Sequence, residues 1–366
     1  ADFRYEFAVS AEFINVDGES MQVPCGLRSQ GGASRNADRS PKHAMSLRFR
    51  KNYGVGKLDF PLIKDSPKTS FNAIHLRARY NNTWHHSNGG QQGRAQLMRD
   101  QFARDTALDM GFEGAGHGNY FQLYLNGLYW GIYNVHERMD HAHYADYYGG
   151  YAGEIDALNG GSPTNGSLSE YNSMKSTVSN PNTPWERIEE LVDIDDYIDW
   201  TIVQRWMGNH DLKNNGNWKA AGGGPDELPW RFFLWDTERI IEEVNFNLPT
   251  PVADPTGILD DLSDRPEFVR RFGDRLQKHN FNGGALTPES NASRWLERAD
   301  ELHLAMIAES ARWGDFRRGN NPYTRDDDWL TEQKRILEDF FPDRVEEALD
   351  NFKDWGLYPN IAGVDL

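Results

Sequence analysis

Gly208-Asn209-His210-Asp211-Leu212-Lys213-Asn214-Asn215-Gly216-Asn217-Trp218 and Trp230-Arg231-Phe232-Phe233-Leu234-Trp235-Asp236-Thr237-Glu238 are the two segments on which the reading of this chain turns. The first places an aspartate and several amides just past a helix-like run. The second is an apolar strand that delivers another aspartate, with a glutamate two residues on. Phosphoryl transfer from a nucleotide needs this layout: one carboxylate to orient a hydroxyl, and an amide plus a second carboxylate to hold Mg²⁺. The plain alternative is a polar hairpin that caps a helix and a strand.

Composition narrows the class around these segments. Hydrophobic residues make up 38% and aromatics 13% of 366 residues, with 12 Trp, so the chain buries a real core. A formal net charge of -17 would repel a nucleic-acid backbone unless a local basic patch offset it. A nucleotide phosphate remains accessible, because a local Arg/Lys pocket with Mg²⁺ reverses the sign. No apolar run approaches the roughly 20 residues of a membrane span. The single Cys25 excludes an internal disulfide and a cysteine zinc cluster, and reads as a small buried hydrophobe. Ala1-Asp2-Phe3 opens without a basic or apolar leader, so the chain reads as a mature or excised piece.

Working outward, residues 3 to about 80 are β-rich: Tyr5–Val9, Met45–Arg50 and Ala73–Arg77 alternate apolar and polar. Residues 81–93 are expected as a polar loop and 94–110 as a helix stopped by Gly111. Tyr120–Leu125 and Tyr129–Val135 are strands joined by Asn126-Gly127, a hairpin-turn signal. Residues 149–185 show little periodicity beyond a short helix near Glu170–Met174. Helices are expected at 186–192, 195–208, 266–279, 288–313, 326–340 and 343–353. The fold class is therefore α+β, with a β-rich N-lobe over 1–136 and a mainly helical C-lobe over 137–366. Two lobes of different class favour a cleft, with a hinge near Val135–Asp140.

Other constellations carry less. Arg28-Ser29-Gln30-Gly31-Gly32-Ala33-Ser34-Arg35 is a glycine turn whose backbone can approach phosphate, with Arg28, Ser34 and Arg35 supplying charge and hydrogen bonds; it lacks the Gly-Lys-Ser/Thr of a Walker loop. Pro41-Lys42 sets a lysine just before a strand, and Asp100 or Asp105 is the expected carboxylate to hold it. His85-His86 and His141/His143 lack the helical spacing of a zinc pair. The acidic runs Asp193–Asp196, Asp260-Asp261 and Asp326–Asp328 read as helix starts and solvated faces. No Gly-x-Ser-x-Gly elbow occurs. Asp236 and Glu238 face one side of a strand, so a glycosidase with a tryptophan-lined cleft stays in view.

Taken in order, these pieces resemble the CotH family of atypical protein kinases. The likeness runs from Gly26 to about Ile241, through the Arg-x-x-Gly-Gly-x-Ser turn with Pro41-Lys42, Phe60-Pro61-Leu62 and Leu97-Met98-Arg99-Asp100. It continues through Leu125-Asn126-Gly127-Leu128-Tyr129-Trp130-Gly131-Ile132-Tyr133 into Glu137-Arg138-Met139-Asp140, then Asn209-x-Asp211 and Trp235-Asp236-x-Glu238. The Asn-Gly-x-Tyr-x-Gly-x-Tyr run is the most specific. The resemblance implies a bilobal atypical kinase fold that binds ATP with Mg²⁺ or Mn²⁺ and phosphorylates Ser/Thr of a protein substrate. By position, Lys42 is similar to the phosphate-contacting lysine, Asp211 to the catalytic base, and Asp236 and Glu238 to the metal-binding acids. Asn217 matches the metal-binding amide, with Asn214 and Asn215 as alternatives because the loop is one residue longer than expected. Arg28, Gly31, Gly32, Ser34 and Arg35 would lie over the phosphates and Glu137 near the hinge. Glu238 stands where many members have Asp, and Gly-Gly-Ala-Ser replaces Gly-Asn-Ser. This pattern resembles a divergent subgroup found inside large secreted bacterial proteins. It implies a secreted or cell-surface location and one domain of a larger protein. Two alternatives follow: a catalytically silent domain of this fold that binds glycans, and a carbohydrate-active enzyme using the same acids.

Overall fold

The structure, a computed structural model, describes residues 5–212, 216–248 and 254–359. It is α+β and forms two compact units that do not follow chain order. Unit 1 comprises Ala1–Gln101, Gly116–Arg138 and Glu297–Gln333; unit 2 comprises Phe102–Ala115, Met139–Leu296 and Lys334–Leu366. A segment near the C-terminus thus folds with the β-rich unit.

Unit 1 is built on a six-stranded antiparallel sheet of β1 (Phe7–Ile14), β2 (Ser20–Ser29), β3 (Met45–Arg48), β6 (Ala73–Arg77), β8 (Leu128–His136) and β7 (Gly118–Leu125), in that spatial order. The short β4 (Leu58–Asp59) and β5 (Ser70–Phe71) pair separately. Side chains alternate across a strand, so the register fixes the two faces. Leu27 pairs with Leu47 and Leu47 with Ile74; Met45 pairs with Leu76 and Leu76 with Val135. These rows join Phe13, Val23 and Cys25 in the core. Burial pushes the Cys25 thiol up to about 11, which leaves it inert. The opposite face carries Arg28, Ser46, Arg48, His75, Arg77 and His136.

The β7–β8 hairpin explains the Asn-Gly-x-Tyr-x-Gly-x-Tyr run. Asn126 and Gly127 both have positive φ, 50° and 80°, as the tight turn requires. The register slips between Leu123 and Tyr124, so Trp130 is the extra residue of a bulge and Gly131 follows at φ 119°. The helix Ala305–Trp313 covers the bulge: Arg312 Nε donates to the Tyr129 carbonyl at 3.2 Å and Trp313 Nε1 to that of Trp130 at 2.8 Å.

Unit 2 holds a four-stranded antiparallel sheet of β10 (Ser162–Asn165), β9 (Asp156–Asn159), β11 (Trp218–Gly223) and β12 (Leu228–Leu234), in that order. Its central helix, Ile194–Trp206, is buried along almost its whole length. Asp193 caps it by accepting from the Asp196 amide at 3.0 Å. At the other end the buried guanidinium of Arg344 donates to the carbonyls of Trp206 at 2.5 Å and Arg205 at 2.9 Å, and to that of Val244. A helix ends with unsatisfied carbonyls, and here one arginine from the helix Phe341–Asp354 satisfies two of them. Burial brings the Arg344 value down to about 10.

Several expected boundaries move. The helix expected from residue 94 starts at Arg99, because Leu97 sits at φ 67°, outside helical space. The polar loop 81–93 contains a one-turn helix, Gly89–Gly93, capped by Asn88. The stretch 149–185 holds β9, β10 and the helix Ser169–Ser179. The helix expected over 288–313 breaks after His303 and resumes at Ala305. Lys213, Asn214 and Asn215 lie outside the described residues, as does Ala1-Asp2-Phe3.

Replacing Arg344 by Met would leave the last helix carbonyls buried and unpaired. The variant is expected to lose about 2–4 kcal/mol in urea unfolding; a change below about 0.5 kcal/mol would show that water can replace the guanidinium.

Candidate active site

Each unit carries one constellation. In unit 2 the chain leaves the central helix through Gly208, at φ 64°, and enters the loop with Asn209. Asn209 is fully buried; it donates to Gln204 Oε1 at 2.7 Å and accepts from the Asp211 amide at 3.0 Å. The Asn-x-Asp spacing is therefore an Asx turn that fixes the backbone of Asp211. Asn217 Nδ2 donates to the Asp211 carbonyl at 3.3 Å, closing the loop on itself. A second segment is clamped alongside: the His210 amide donates to the Arg239 carbonyl at 3.0 Å, and the Ile241 amide to Met207 at 2.9 Å. Asp236 at φ 62° and Ile241 at φ 60° turn this segment, an uncommon conformation for non-glycine residues. Arg335 helps hold it by donating to the Ile241 carbonyl at 2.8 Å.

The result is a concentration of carboxylates. Burial, ahead of every neighbour, pushes the Asp211 carboxyl up to about 6. Arg239, at 3.8 Å, opposes this, while Asp236, Glu238 and Glu242 add to it. Glu238 is itself buried. Arg239 grips Glu242 with two hydrogen bonds of 3.0 and 2.8 Å. His210 Nε2 lies 2.7 Å from Glu243, and its ring stacks on Phe246. Burial lowers the His210 value despite those glutamates. Asp211, Asn217, Asp236 and Glu238, expected from sequence, thus belong to one neighbourhood of unit 2. Arg239 and the pair Glu242/Glu243 were not expected. The only sequence hint was their position a few residues past Asp236.

In unit 1 Lys42 is fully buried. Its ammonium donates to Glu309 Oε1 at 2.7 Å and to the Ile132 carbonyl at 2.7 Å, while Glu309 Oε2 accepts from the Ile132 amide at 2.7 Å. The expected partner, Asp100 or Asp105, does not hold it. Asp100 instead pairs with Arg79 at 2.7 Å, at the far end of β6, whereas Lys42 lies against the β8 bulge. Nothing in the sequence signals Glu309, 267 residues away. Gly131 makes the arrangement possible: a Cβ there would stand 2.5 Å from Glu309 Oε2 and 3.0 Å from Lys42 Nζ. Burial lowers the Lys42 value and Glu309 counters it.

The other residues expected from sequence spread along the same unit. Gly31, at φ 104°, would bring a Cβ within 2.3 Å of Ser34 Oγ, so the turn is tight. Ala33–Arg35 form a single 3₁₀ turn, and the Ser34 carbonyl accepts from His43 at 2.8 Å. Arg28 Nε donates to Glu6 at 2.7 Å. Glu137 directly follows β8 and accepts from Ser66 Oγ at 2.8 Å and the His117 amide at 3.0 Å. His85, one of the paired histidines, is buried beside Ser40 at 3.0 Å, and burial with nearby Lys42 keeps it neutral.

An antiparallel sheet unit with a buried Lys–Glu pair, and a helical unit with an Asn-x-Asp loop and a post-strand Asp, define a kinase-like α+β protein. The family model described as CotH kinase protein matches residues 29–344, most of the chain, and the chain belongs to that family. No curated protein matches the chain. Among the described residues no helix is long and apolar enough to cross a membrane.

Two outcomes follow. Glu309→Ala strands a buried ammonium and should cost about 3–5 kcal/mol in denaturant unfolding, whereas Lys42→Met with Glu309→Leu should cost less than Glu309→Ala alone. Equal losses would show that the charge is not what the site protects. For Asp211, a carboxyl raised from 3.8 to about 6 favours the folded state fully below its ordinary value and loses that contribution as pH rises through about 6. Metal-free Asp211→Asn is therefore expected to be more stable than the parent above about pH 7, by roughly 1–2 kcal/mol after solvent screening, with the gap closing near pH 4. Thermal melts across that range check it, and a gap independent of pH would contradict the assignment.

Proposed function

We propose that this protein transfers the γ-phosphoryl group of ATP to Ser/Thr hydroxyls of a secreted or surface protein, with Mg²⁺ or Mn²⁺. The observation that carries this is the Asp211 carboxyl, raised by burial and by the acids Asp236 and Glu238 around it, in a chain of the CotH kinase family. Oxygen donors from Asp236, Glu238 and the Asn217 amide suit a hard divalent cation, which would also offset the negative charge that these acids set beside Asp211. The donor set fits. When bound, the metal neutralises phosphate charge.

The chain's own residues do the rest. Asp211 accepts the proton of the acceptor hydroxyl, and Asn209 holds its backbone in place for this. Arg239 keeps part of the Asp211 population ionised near neutral pH by lowering its value. The backbone of Gly31 and Gly32 and the Ser34 hydroxyl cradle phosphate, and Arg28 and Arg35 add charge. Lys42, paired with Glu309 and bonded to the Ile132 carbonyl, fixes the β8 bulge within its unit. Glu137 anchors the end of β8 through Ser66 and His117. Little covalent work is asked of the protein; positioning and electrostatics supply the acceleration.

A thermal-shift titration with ATP plus Mg²⁺ or Mn²⁺ tests this. The parent should gain a saturable stabilisation of about 2–3 kcal/mol at roughly a hundred times Kd, and Asp236→Ala should lose most of it. No shift at millimolar nucleotide would end the kinase reading and turn attention to glycans.

A further inference from the structure

We propose that Arg48, with Ser46 beside it, forms a phosphate-binding site on the polar face of the unit 1 sheet. That the phosphates are those of the nucleotide rests on the kinase reading; the site itself does not.

The register places these residues. Arg48 on β3 pairs with Gly26 on β2 and with Ala73 on β6, so neither neighbouring strand sets a long side chain of its own beside it, and the space over Gly26 is taken by Glu6, whose Oε1 lies 2.5 Å from where a Cβ would stand. Ser46, two residues before it and on the same face, pairs with Arg28 and with His75. The arginine is half-buried and, among the described residues, forms no ion pair; its Nε has no hydrogen-bond partner. Ser46 is 2% exposed, and its buried hydroxyl also has no partner. Buried polar groups are nearly always paired, so two such groups on one patch offer donors that a polar ligand can meet.

Charge gives that ligand its sign. Arg28, Arg50 and Arg138 act on Arg48 along with burial, and the carboxylate named in this group, Glu6, ranks below all of them. Glu6 is already engaged by Arg28 at 2.7 Å and Arg50 at 3.4 Å. An anion that accepts hydrogen bonds from a guanidinium fork and a hydroxyl is phosphate-like, because phosphate offers oxygens in the spacing of that fork. Lys42, the cation expected from sequence to meet phosphate, is closed inside its own ion pair. Arg48 is not.

The test uses the full chain with inorganic pyrophosphate as probe, followed by thermal shift and calorimetry, in the parent and in Arg48→Met, Arg48→Lys and Ser46→Ala. The parent should be stabilised saturably. Arg48→Met should bind about tenfold or more weakly, with Arg48→Lys intermediate, since a point charge lacks the fork. Without pyrophosphate, Arg48→Met should melt at the same or a higher temperature, because it removes a half-buried charge set among like charges. A structural arginine would do the reverse, so a lower melting temperature overturns the proposal. So does pyrophosphate affinity within about twofold of the parent, or a parent that binds no pyrophosphate. The two readings fail separately. Nucleotide binding that ignores Arg48 removes this site and leaves the kinase reading intact. Arg48-dependent pyrophosphate binding without any response to ATP and metal keeps the site and removes the kinase.

Discussion

The buried contact of Lys42 with Glu309 and the Ile132 backbone is the constraint around which unit 1 is arranged. A lysine and a glutamate leave water only if each finds a full set of partners, because the desolvation of either alone exceeds what one attraction returns. Here the partners come from the turn after β2, from the β8 bulge and from the helix Ala305–Trp313. None of the three can shift without exposing a charge. Such pairs contribute little net stability and much specificity: they select one arrangement of elements. Gly131 belongs to the same constraint, since any side chain there would occupy the space where the charges meet.

Unit 2 uses a different device. Its central helix is buried on nearly every side, its apolar side chains by packing and its buried Asp199 and Arg205 by ion pairs with Arg275 and Asp254, and its C-terminal end is closed by Arg344. The loop that follows is electrostatically unfavourable by comparison. Burial, and after it Asp236, Glu238 and Glu242, raise the affinity of Asp211 for a proton, and two non-glycine residues sit at positive φ. A rigid, capped helix next to a strained acidic loop is the pattern expected where stability is given up locally for chemistry.

This contrast explains what could be read from the sequence. The α+β class, most strands and the Asn-Gly turn follow from alternation and local turn chemistry, both short-range properties. Asp211 and Asp236 were legible because each sits at a junction, one after a helix and one after a strand, where motif spacing is strict. The Asn209 contact was implicit in that spacing. Glu309 was not legible, because its role arises from a pairing across 267 residues, and a glutamate within a solvated-looking helix carries no mark of burial. Arg48 was hidden for a related reason. In sequence it is one more arginine in an alternating strand, and only the register shows that Gly26 and Ala73 flank it. The helix start displaced to Arg99 depended on the backbone of Leu97, a leucine in a conformation its residue type disfavours.

The electrostatics of the two units, each taken alone, are complementary in kind. Unit 1 carries a guanidinium with no ion pair among its described residues, together with a buried hydroxyl that lacks a partner. Unit 2 carries a carboxyl raised to about 6 by burial first and by surrounding acids after it. Either feature by itself is a fault that selection for stability would remove, since a neutral side chain at Arg48 or Asp211 relieves it. Each fault is relieved instead by a ligand of opposite charge: an oxyanion for the first and a hard cation for the second. A polysaccharide supplies neither, because its hydroxyls can satisfy the serine but cannot neutralise a guanidinium or a carboxylate cluster. Each unit, taken alone, therefore presents charge that a neutral sugar hydroxyl cannot offset.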